Sequence, residues 1–398
     1  MISSDARRNK DWAVNLLMIL YNQTGKGTFW RALGFARVLV KRGHAVTLMC
    51  TAPRAKLRIS ERDIGGVRLV ETPDLLPGSL RSGWDVWNTL NRLAWLRGRS
   101  FDLVHGFETR PIVIWPALMA KRRGAKLFLD WCDWFGAGGS VEERPNPLVR
   151  AVLRPVETFF ENHYRTRADG TTVINTALRH RAIDLGVKPE SIRLIRNGSD
   201  TNIEPMDRLA ARDVLGLPAE GTYIGFVGGT YTRDAHFMAE AFNCVLAAAP
   251  QTKLILTGYF NRPIESWVSI PGAIVRSGPV EYAEMYTYLS ACDVCWLPLC
   301  DSGANRGRWP FKLNDYMTVA RPVVATAVGD LAEVIPQYDL GVVTPVIADR
   351  FAEETLTLLA DDARAWFIGQ TARHVAETVF NWEKLANEME DFYQSRLC

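Results

Sequence analysis

The chain has 398 residues, too many for one ordinary hydrophobic core, so two domains are expected. With 47% hydrophobic and 23% charged residues its composition is that of a soluble globular protein. Net charge is +3, yet residues 1–200 carry 32 Lys+Arg against 19 Asp+Glu, and residues 201–398 carry 15 against 25. A basic half joined to an acidic half points to an anionic partner for the first: lipid, a charged polysaccharide or nucleic acid.

Residues 1–11 are polar and lack the apolar stretch and small-residue cleavage site of a secretory signal. The apolar run 12–21 is broken by Asn15 and too short to span a bilayer. Residues 14–20 read as a buried strand, followed by the turn Thr24-Gly25-Lys26-Gly27-Thr28 and a helix over 29–42 with Leu33, Ala36 and Val40 on its apolar side. Gly43 ends that helix and 45–50 is the next strand, the proportions of a right-handed βαβ crossover. Further strands are expected at 67–71, 103–105, 127–130, 170–173 and 192–195.

The pattern restarts after the polar run Asn197-Gly198-Ser199-Asp200-Thr201-Asn202. A strand at 223–227 ends in Gly228-Gly229, a helix covers 236–249, and strands follow at 253–257, 273–276, 294–297, 323–326 and 341–343. The expectation is an α/β fold of two Rossmann-like doubly wound domains facing each other across a cleft, residues 1–205 and 206–398. The segment 382–397 is helical by pattern, and its pattern does not say which domain it packs on. Seven cysteines, an odd number, sit mostly in apolar surroundings, as Cys244 and Cys292 do, which suits unpaired cytosolic thiols. Cys292, Cys295 and Cys300 have neither a matching second pair nor a nearby His, so no metal site is expected.

Ligands of open α/β sheets bind beyond the carboxyl ends of the strands, a rule that selects five segments. Gly25 and Gly27 let backbone approach a ligand ahead of a helix N-terminus, although a plain tight turn reads equally well. Gly228-Gly229-Thr230-Tyr231-Thr232-Arg233-Asp234 repeats that logic and adds an Arg able to grip phosphate. His105-Gly106-Phe107-Glu108-Thr109-Arg110 bunches charge at one strand end, with helix capping as a competing role for Glu108. Asp130-Trp131-Cys132-Asp133-Trp134-Phe135-Gly136 interleaves acids with indoles, which suits carbohydrate; the alternative places both Trp in the core. The polar loop 299–313, with Asp301, Arg306, Gly307 and Arg308, leads into a helix where Lys312 precedes Asp315 by three residues, near enough to serve one ligand together. No metallopeptidase, serine-hydrolase or kinase signature occurs.

These segments occur in order with Lys41-Arg42-Gly43-His44-Ala45-Val46, Phe101-Asp102-Leu103-Val104-His105 and Arg196-Asn197-Gly198-Ser199-Asp200. Phe226-Val227-Gly228-Gly229, Leu289-Ser290-Ala291-Cys292-Asp293-Val294, the stretch 312–329 and Glu333 continue the series. Together they resemble glycosyltransferase family 4, retaining nucleotide-sugar enzymes of the two-Rossmann-domain GT-B type, over almost the whole chain. The resemblance implies that the first domain binds the acceptor and the second the nucleotide sugar. It implies that Asp315, where the family has a Glu, holds the ribose hydroxyls, and that backbone near Val280 meets the base. The chain departs from the family at three places. Gly307 stands where the family has its first acid, Gly229 where it has an Arg, and Phe107 where it has the second His of a His-x-His pair. The phosphate cations then come from among Lys312, Arg233, Arg306 and Arg308, and Lys312 with Arg233 is the expected pair.

By that resemblance the reaction is transfer of a hexosyl group from a UDP- or GDP-sugar to a hydroxyl, with retention, in glycan, polysaccharide or glycolipid synthesis. Fixed cations stabilise the departing diphosphate, which takes the acceptor's proton, so neither a cofactor nor Mg²⁺ is expected. Glu108 and Asp133 are the candidates for positioning acceptor and sugar. The alternatives are a sugar-nucleotide epimerase or hydrolase and a non-catalytic sugar-nucleotide-binding homologue. Nucleic-acid binding has no recognised module behind it. Arg92, Trp95, Arg97 and Arg99, with Lys121-Arg122-Arg123, suggest a cytoplasmic protein in peripheral contact with an anionic inner membrane face, where it meets a lipid-linked acceptor.

Overall fold

The computed structural model describes residues 12–54, 57–76, 81 and 83–397, so the polar leader 1–11 lies outside the described residues. The first sheet runs in parallel through β1 (Asn15–Gln23), β2 (Ala45–Thr51), β4 (Val67–Thr72), β5 (Leu103–Phe107), β6 (Lys126–Trp131), β7 (Gly170–Val173) and β8 (Ile192–Leu194). Its spatial order is β3-β4-β2-β1-β5-β6-β7-β8, with β3 (Ser60–Ile64) antiparallel at the edge. The second sheet is parallel throughout, ordered β11-β10-β9-β12-β13-β14. Its strands are β9 (Tyr223–Val227), β10 (Lys253–Thr257), β11 (Ile274–Gly278), β12 (Val294–Leu297), β13 (Val323–Thr326) and β14 (Gly341–Thr344).

Both sheets are covered on both faces, which is why their strands read as unbroken apolar runs. In β1, Leu16, Met18 and Leu20 enter the core beneath α1 (Thr28–Lys41), while Leu17 and Ile19 enter the opposite layer with Ile112 and Val113 of α3 (Pro111–Arg122). In each sheet the chain walks outward from the first strand on one side and then returns to the other: β1 lies between β2 and β5, and β9 between β10 and β12. Loops splay apart at such reversals and leave a crevice beyond the strand ends. Gly25 and Gly27 follow β1, and Gly228 and Gly229 follow β9.

The edge strand β3 was hidden in the sequence because Ser-Glu-Arg-Asp-Ile carries no apolar alternation. It forms through a hairpin at Gly65 and Gly66, whose φ values of 69° and 87° suit glycine. Cross-strand ion pairs hold it, Glu61 with Arg68 at 2.6 Å and Arg62 with Glu71 at 3.4 Å, and such charge discourages pairing with a further edge.

The last helix, α14 (Trp382–Leu397), returns to the first domain and packs on α1. Glu390 accepts from Arg42 at 2.6 Å and bonds His44 at 3.1 Å, and the Tyr393 hydroxyl lies 2.6 Å from His105 Nδ1. The Trp382 indole is seated between Gly34 and Gly198, where a Cβ on either would come within 2.5 Å of the ring. His105 is therefore a core residue, and burial pulls its pKa down to about 4.

Two residues expected on a membrane-facing surface are inside. Arg92, in α2 (Val86–Leu96), is fully buried and donates to the carbonyls of Leu20 and Ile112, while Trp95 donates to Glu61. Carbonyls at strand and helix ends need donors when buried, and a guanidinium supplies several. Among the described residues no helix is long and apolar enough to cross a membrane.

Candidate active site

The two crevices enclose one cavity of about 380 Å³, bounded by Gly27, Arg31 and Asp133 from the first domain and by Gly228, Arg308, Lys312 and Asp315 from the second. Pro310 sets the start of α10 (Phe311–Thr318), so Lys312 sits in its first turn and Asp315 one turn further on. Lys312 Nζ donates to the Gly229 carbonyl at 3.0 Å. Gly228 has φ 70°, and a Cβ there would stand 3.7 Å from Nζ, inside the space a ligand would need.

Lys312 and Asp315 are each half-buried by area, but both domains wall them in, and desolvation dominates their titration. Burial lowers Lys312 to about 7, with Arg308 adding to the fall and Asp315 opposing it. Burial raises Asp315 to about 7, against the hydrogen bond from Tyr286 of α8 (Tyr282–Ser290) at 3.0 Å and the pull of Lys312. Asp133 is pushed up to about 6 by burial, with Arg308 and Arg110 holding it down.

Arg308 lies 5.0 Å over the Tyr231 ring and 3.5 Å from Asp234. The Asp234 carboxylate already accepts from the Cys300 amide at 2.8 Å and Asn305 Nδ2 at 2.9 Å, which leaves Arg308 charge to spare for the cavity. The expected partner of Lys312 was Arg233, and that expectation is corrected. The helix α7 (Thr232–Ala248) begins at Thr232, so Asp234 and Ala235 turn inward, while Arg233 is exposed near Glu143 of the first domain and outside the cavity lining. Arg306 is also outside the cavity: its side chain is 55% exposed and pairs with Asp301 at 2.6 Å.

Glu108 does not reach the cavity either. It has φ 76° and is buried; its carboxylate lies 3.0 Å from Arg165 and accepts from the amides of Cys132 at 2.8 Å and Asp133 at 3.3 Å. It anchors the loop that delivers Asp133 instead of meeting a ligand, and burial pushes it up to about 8 against the pull of Arg165. Gly27 borders the cavity, whereas Gly25 sits on the exposed loop with its carbonyl accepting from Trp30 Nε1 at 3.1 Å. Gly229 contributes a carbonyl to Lys312 without bordering the cavity, and Val280 lies just before α8, outside its lining.

Trp131 is core, donating to Glu161 at 3.0 Å, but Trp134 reaches the other domain. A Cβ on Gly307 would collide with Trp134, and one on Gly303, in α9 (Gly303–Arg306), with the Gly138 carbonyl. The loop after β6 thus sits flush on the loop after β12, and the Cβ and backbone amide of Trp134 leave no room for a side chain at position 307. Arg31 went unremarked in the sequence. It is fully buried, pairs bidentately with Asp130 at 2.9 and 3.0 Å, and donates to the Ile195 and Arg196 carbonyls. An Arg on the apolar side of α1, between Phe29 and Leu33, was the available signal.

Two family models match the chain: a glycosyl transferase 4-like domain over residues 26–198 and a glycosyl transferases group 1 domain over residues 221–361. Both halves of the chain thus match glycosyltransferase domains, and the fold is of the GT-B type. The enzyme is 21% identical over 308 residues to the putative teichuronic acid biosynthesis glycosyltransferase TuaH of Bacillus subtilis, covering 71% of this chain and 72% of that protein. Its fold is similar to sucrose-phosphate synthase from Thermosynechococcus elongatus, with a TM-score of 0.74 at 17% identity, over 96% of this chain and 98% of the other. It is similar also to Anabaena HepE in complex with UDP-glucose, with a TM-score of 0.67 at 14% identity, over 96% and 99%. At these identities the structural likeness speaks for the fold. Apart from the antiparallel edge strand β3, both sheets have the parallel, reversal-containing topology expected from sequence.

Proposed function

We propose that this glycosyltransferase moves a hexosyl group from a UDP- or GDP-sugar to a hydroxyl acceptor with retention at the anomeric carbon. The observation that carries the reading is the convergence of Lys312, Arg308 and Asp315 in one interdomain cavity beside Gly228, with Asp133 entering from the other domain. Two cations suit a diphosphate, and a carboxylate one helical turn away suits a ribose diol. As the anomeric C–O bond breaks, negative charge grows on the departing phosphate, where Lys312 and Arg308 are already in place. The acceptor hydroxyl adds to the same face and gives its proton to that phosphate oxygen, so no side chain is assigned as base and no divalent ion is invoked. Asp133 is assigned to the hydroxyls of the transferred sugar.

The similarity to TuaH, a putative teichuronic acid biosynthesis glycosyltransferase, and to HepE, which binds UDP-glucose, supports a role in glycan or polysaccharide synthesis and favours a uridine donor. The reading puts the protein in the cytoplasm, which suits the free thiols of Cys50, Cys132, Cys244, Cys292, Cys295 and Cys300. The test is incubation with a panel of UDP- and GDP-hexoses and hydroxyl acceptors, followed by proton NMR of the product. Expected is a glycoside with the donor's anomeric configuration, formed at the same rate with EDTA. Free sugar or an epimer formed without acceptor would make the protein a hydrolase or epimerase, and binding without turnover would make it a non-catalytic homologue.

A further inference from the structure

We infer that the outer face of the first domain, built by α2, α3 and α4 (Pro147–His163), docks on an anionic lipid bilayer. On α4 the residues Leu148, Val152, Val156 and Phe159 recur at helical spacing and are 77%, 66%, 37% and 51% exposed. An apolar stripe of this width belongs on an inward face, yet here it looks out. Val86, Trp87 and Leu90 of α2 and Trp115 of α3 are exposed as well. Phe160 joins the three helices, its ring 5.5 Å from Phe159, 6.0 Å from Trp115 and 5.3 Å from Trp84 just ahead of α2. Contiguous exposed apolar surface of this kind marks an interaction site.

Charge identifies the occupant. Neither α2 nor α3 contains an Asp or Glu, and the two carboxylates of α4, Glu157 and Glu161, are buried, bonded to Arg144 and to the amides of Phe135 and Gly136. Glu142, at the rim, is held by Arg154 at 2.7 Å. Arg97, Arg122 and Arg123 stand exposed at the helix ends. Apolar side chains framed by bases, without free carboxylates among them, are the pattern of a helix face lying in the headgroup region of an anionic membrane. A second copy of the chain would set these bases against their own images. The same face is tied to the cleft, because the loop bearing Asp133 hangs from α4 through Glu161 and through Thr158 Oγ1, which accepts from the Ala137 amide at 2.8 Å. A recess of about 500 Å³ runs beside Ala137, Thr158 and Phe159.

The surface goes beyond the transfer reaction and is tested without it. The full chain is sedimented with vesicles of phosphatidylglycerol in phosphatidylcholine and with vesicles of phosphatidylcholine alone. Expected is a bound fraction that rises with phosphatidylglycerol and falls with salt. The triple variant Leu148→Asp, Val152→Asp, Phe159→Asp is expected to lose at least tenfold in vesicle affinity while keeping its melting temperature and its nucleotide-sugar thermal shift. Wild type left in the supernatant, or equal binding by the folded triple variant, would overturn the inference. So would light scattering that shows a dimer abolished by the same variant with no vesicle binding. A second variant, Arg122→Glu with Arg123→Glu, keeps the apolar stripe and is expected to lose the phosphatidylglycerol dependence.

Discussion

The Trp30 indole of the first domain stacks on the Tyr282 ring of the second, with centroids 4.8 Å apart and planes 16° from parallel. The Tyr282 and Tyr286 hydroxyls lie 2.7 Å apart, and Tyr286 lies 3.0 Å from Asp315. One hydroxyl hydrogen serves one acceptor, so Tyr286 donates to the carboxylate and Tyr282 donates to Tyr286. Closure of the cleft is thereby linked to the orientation of Asp315, the acid proposed for the ribose. Trp30→Ala removes a stack worth roughly 0.5–1.5 kcal/mol, which is about 2- to 10-fold in the closed-to-open ratio. The expected result is a loss of that size in kcat/KM and a larger radius of gyration by solution scattering without ligand.

Arg308 borders the cavity where Arg233 was first expected, and the phosphate role is proposed for it instead. Arg308→Ala is predicted to lower kcat by about 100- to 1,000-fold, the usual cost of one preorganised donor at a developing anion. Arg308→Lys recovers part of that, and Arg233→Ala leaves kcat within about twofold because its side chain is solvated. Steady-state kinetics under saturating donor separates the three.

Lys312 gives the site a pH dependence with a fixed sign. Its pKa of about 7 lies below the unfolded value, so the empty cleft loses the ammonium as pH rises past 7. A diphosphate binds the ammonium form, so binding takes up a proton, and affinity for the nucleotide sugar falls above pH 7 by up to about tenfold per unit. Lys312→Met is predicted to bind weakly at pH 6 and to lose the fall in affinity that the wild type shows above pH 7. The folded state binds fewer protons here than the unfolded chain between pH 7 and 10.5, so the buried ammonium costs stability at lower pH, and that cost fades as pH rises through the window. At pH 6, Lys312→Met is therefore expected to melt higher by about 2–4 °C, the shift of roughly 1 kcal/mol at this domain size.

Arg31 and Asp130 form a buried pair that one-sided replacement leaves uncompensated. Burial works against the Asp130 carboxylate, but Arg31 holds its pKa below the usual value. Its contribution is present above the unfolded pKa near 4 and is lost as pH falls through the lower folded value. Asp130→Asn is predicted to cost about 3–5 kcal/mol, read from urea unfolding at pH 7.

Much of the architecture was legible because its strands are unbroken apolar runs with glycine or proline close by. The strands 170–173, 223–227, 253–257, 294–297 and 323–326 were placed on their observed bounds for that reason. The direction of side chains was less legible. Arg233 was counted into the cleft from Gly229, but the start of α7 carries no side-chain cap to betray the turn that sends it outward. Arg92 read as a surface base, although its guanidinium satisfies buried carbonyls brought together only by the fold. Glu108 lies at a strand end as the topology rule requires, yet its left-handed backbone turns the carboxylate to Arg165. The outward apolar stripe of α4 has the same periodicity as a buried helix, so exposure alone reveals it.

The central claim, that Lys312 and Arg308 grip the donor's diphosphate, is tested most directly by titration calorimetry of UDP- and GDP-hexoses into two double variants. Each charge-assisted contact is worth roughly 1.5–3 kcal/mol, so Lys312→Ala with Arg308→Ala should weaken donor binding at least about a hundredfold. Arg233→Ala with Arg306→Ala should leave it within about threefold. Wild-type affinity in the first variant, or its loss in the second, would contradict the account.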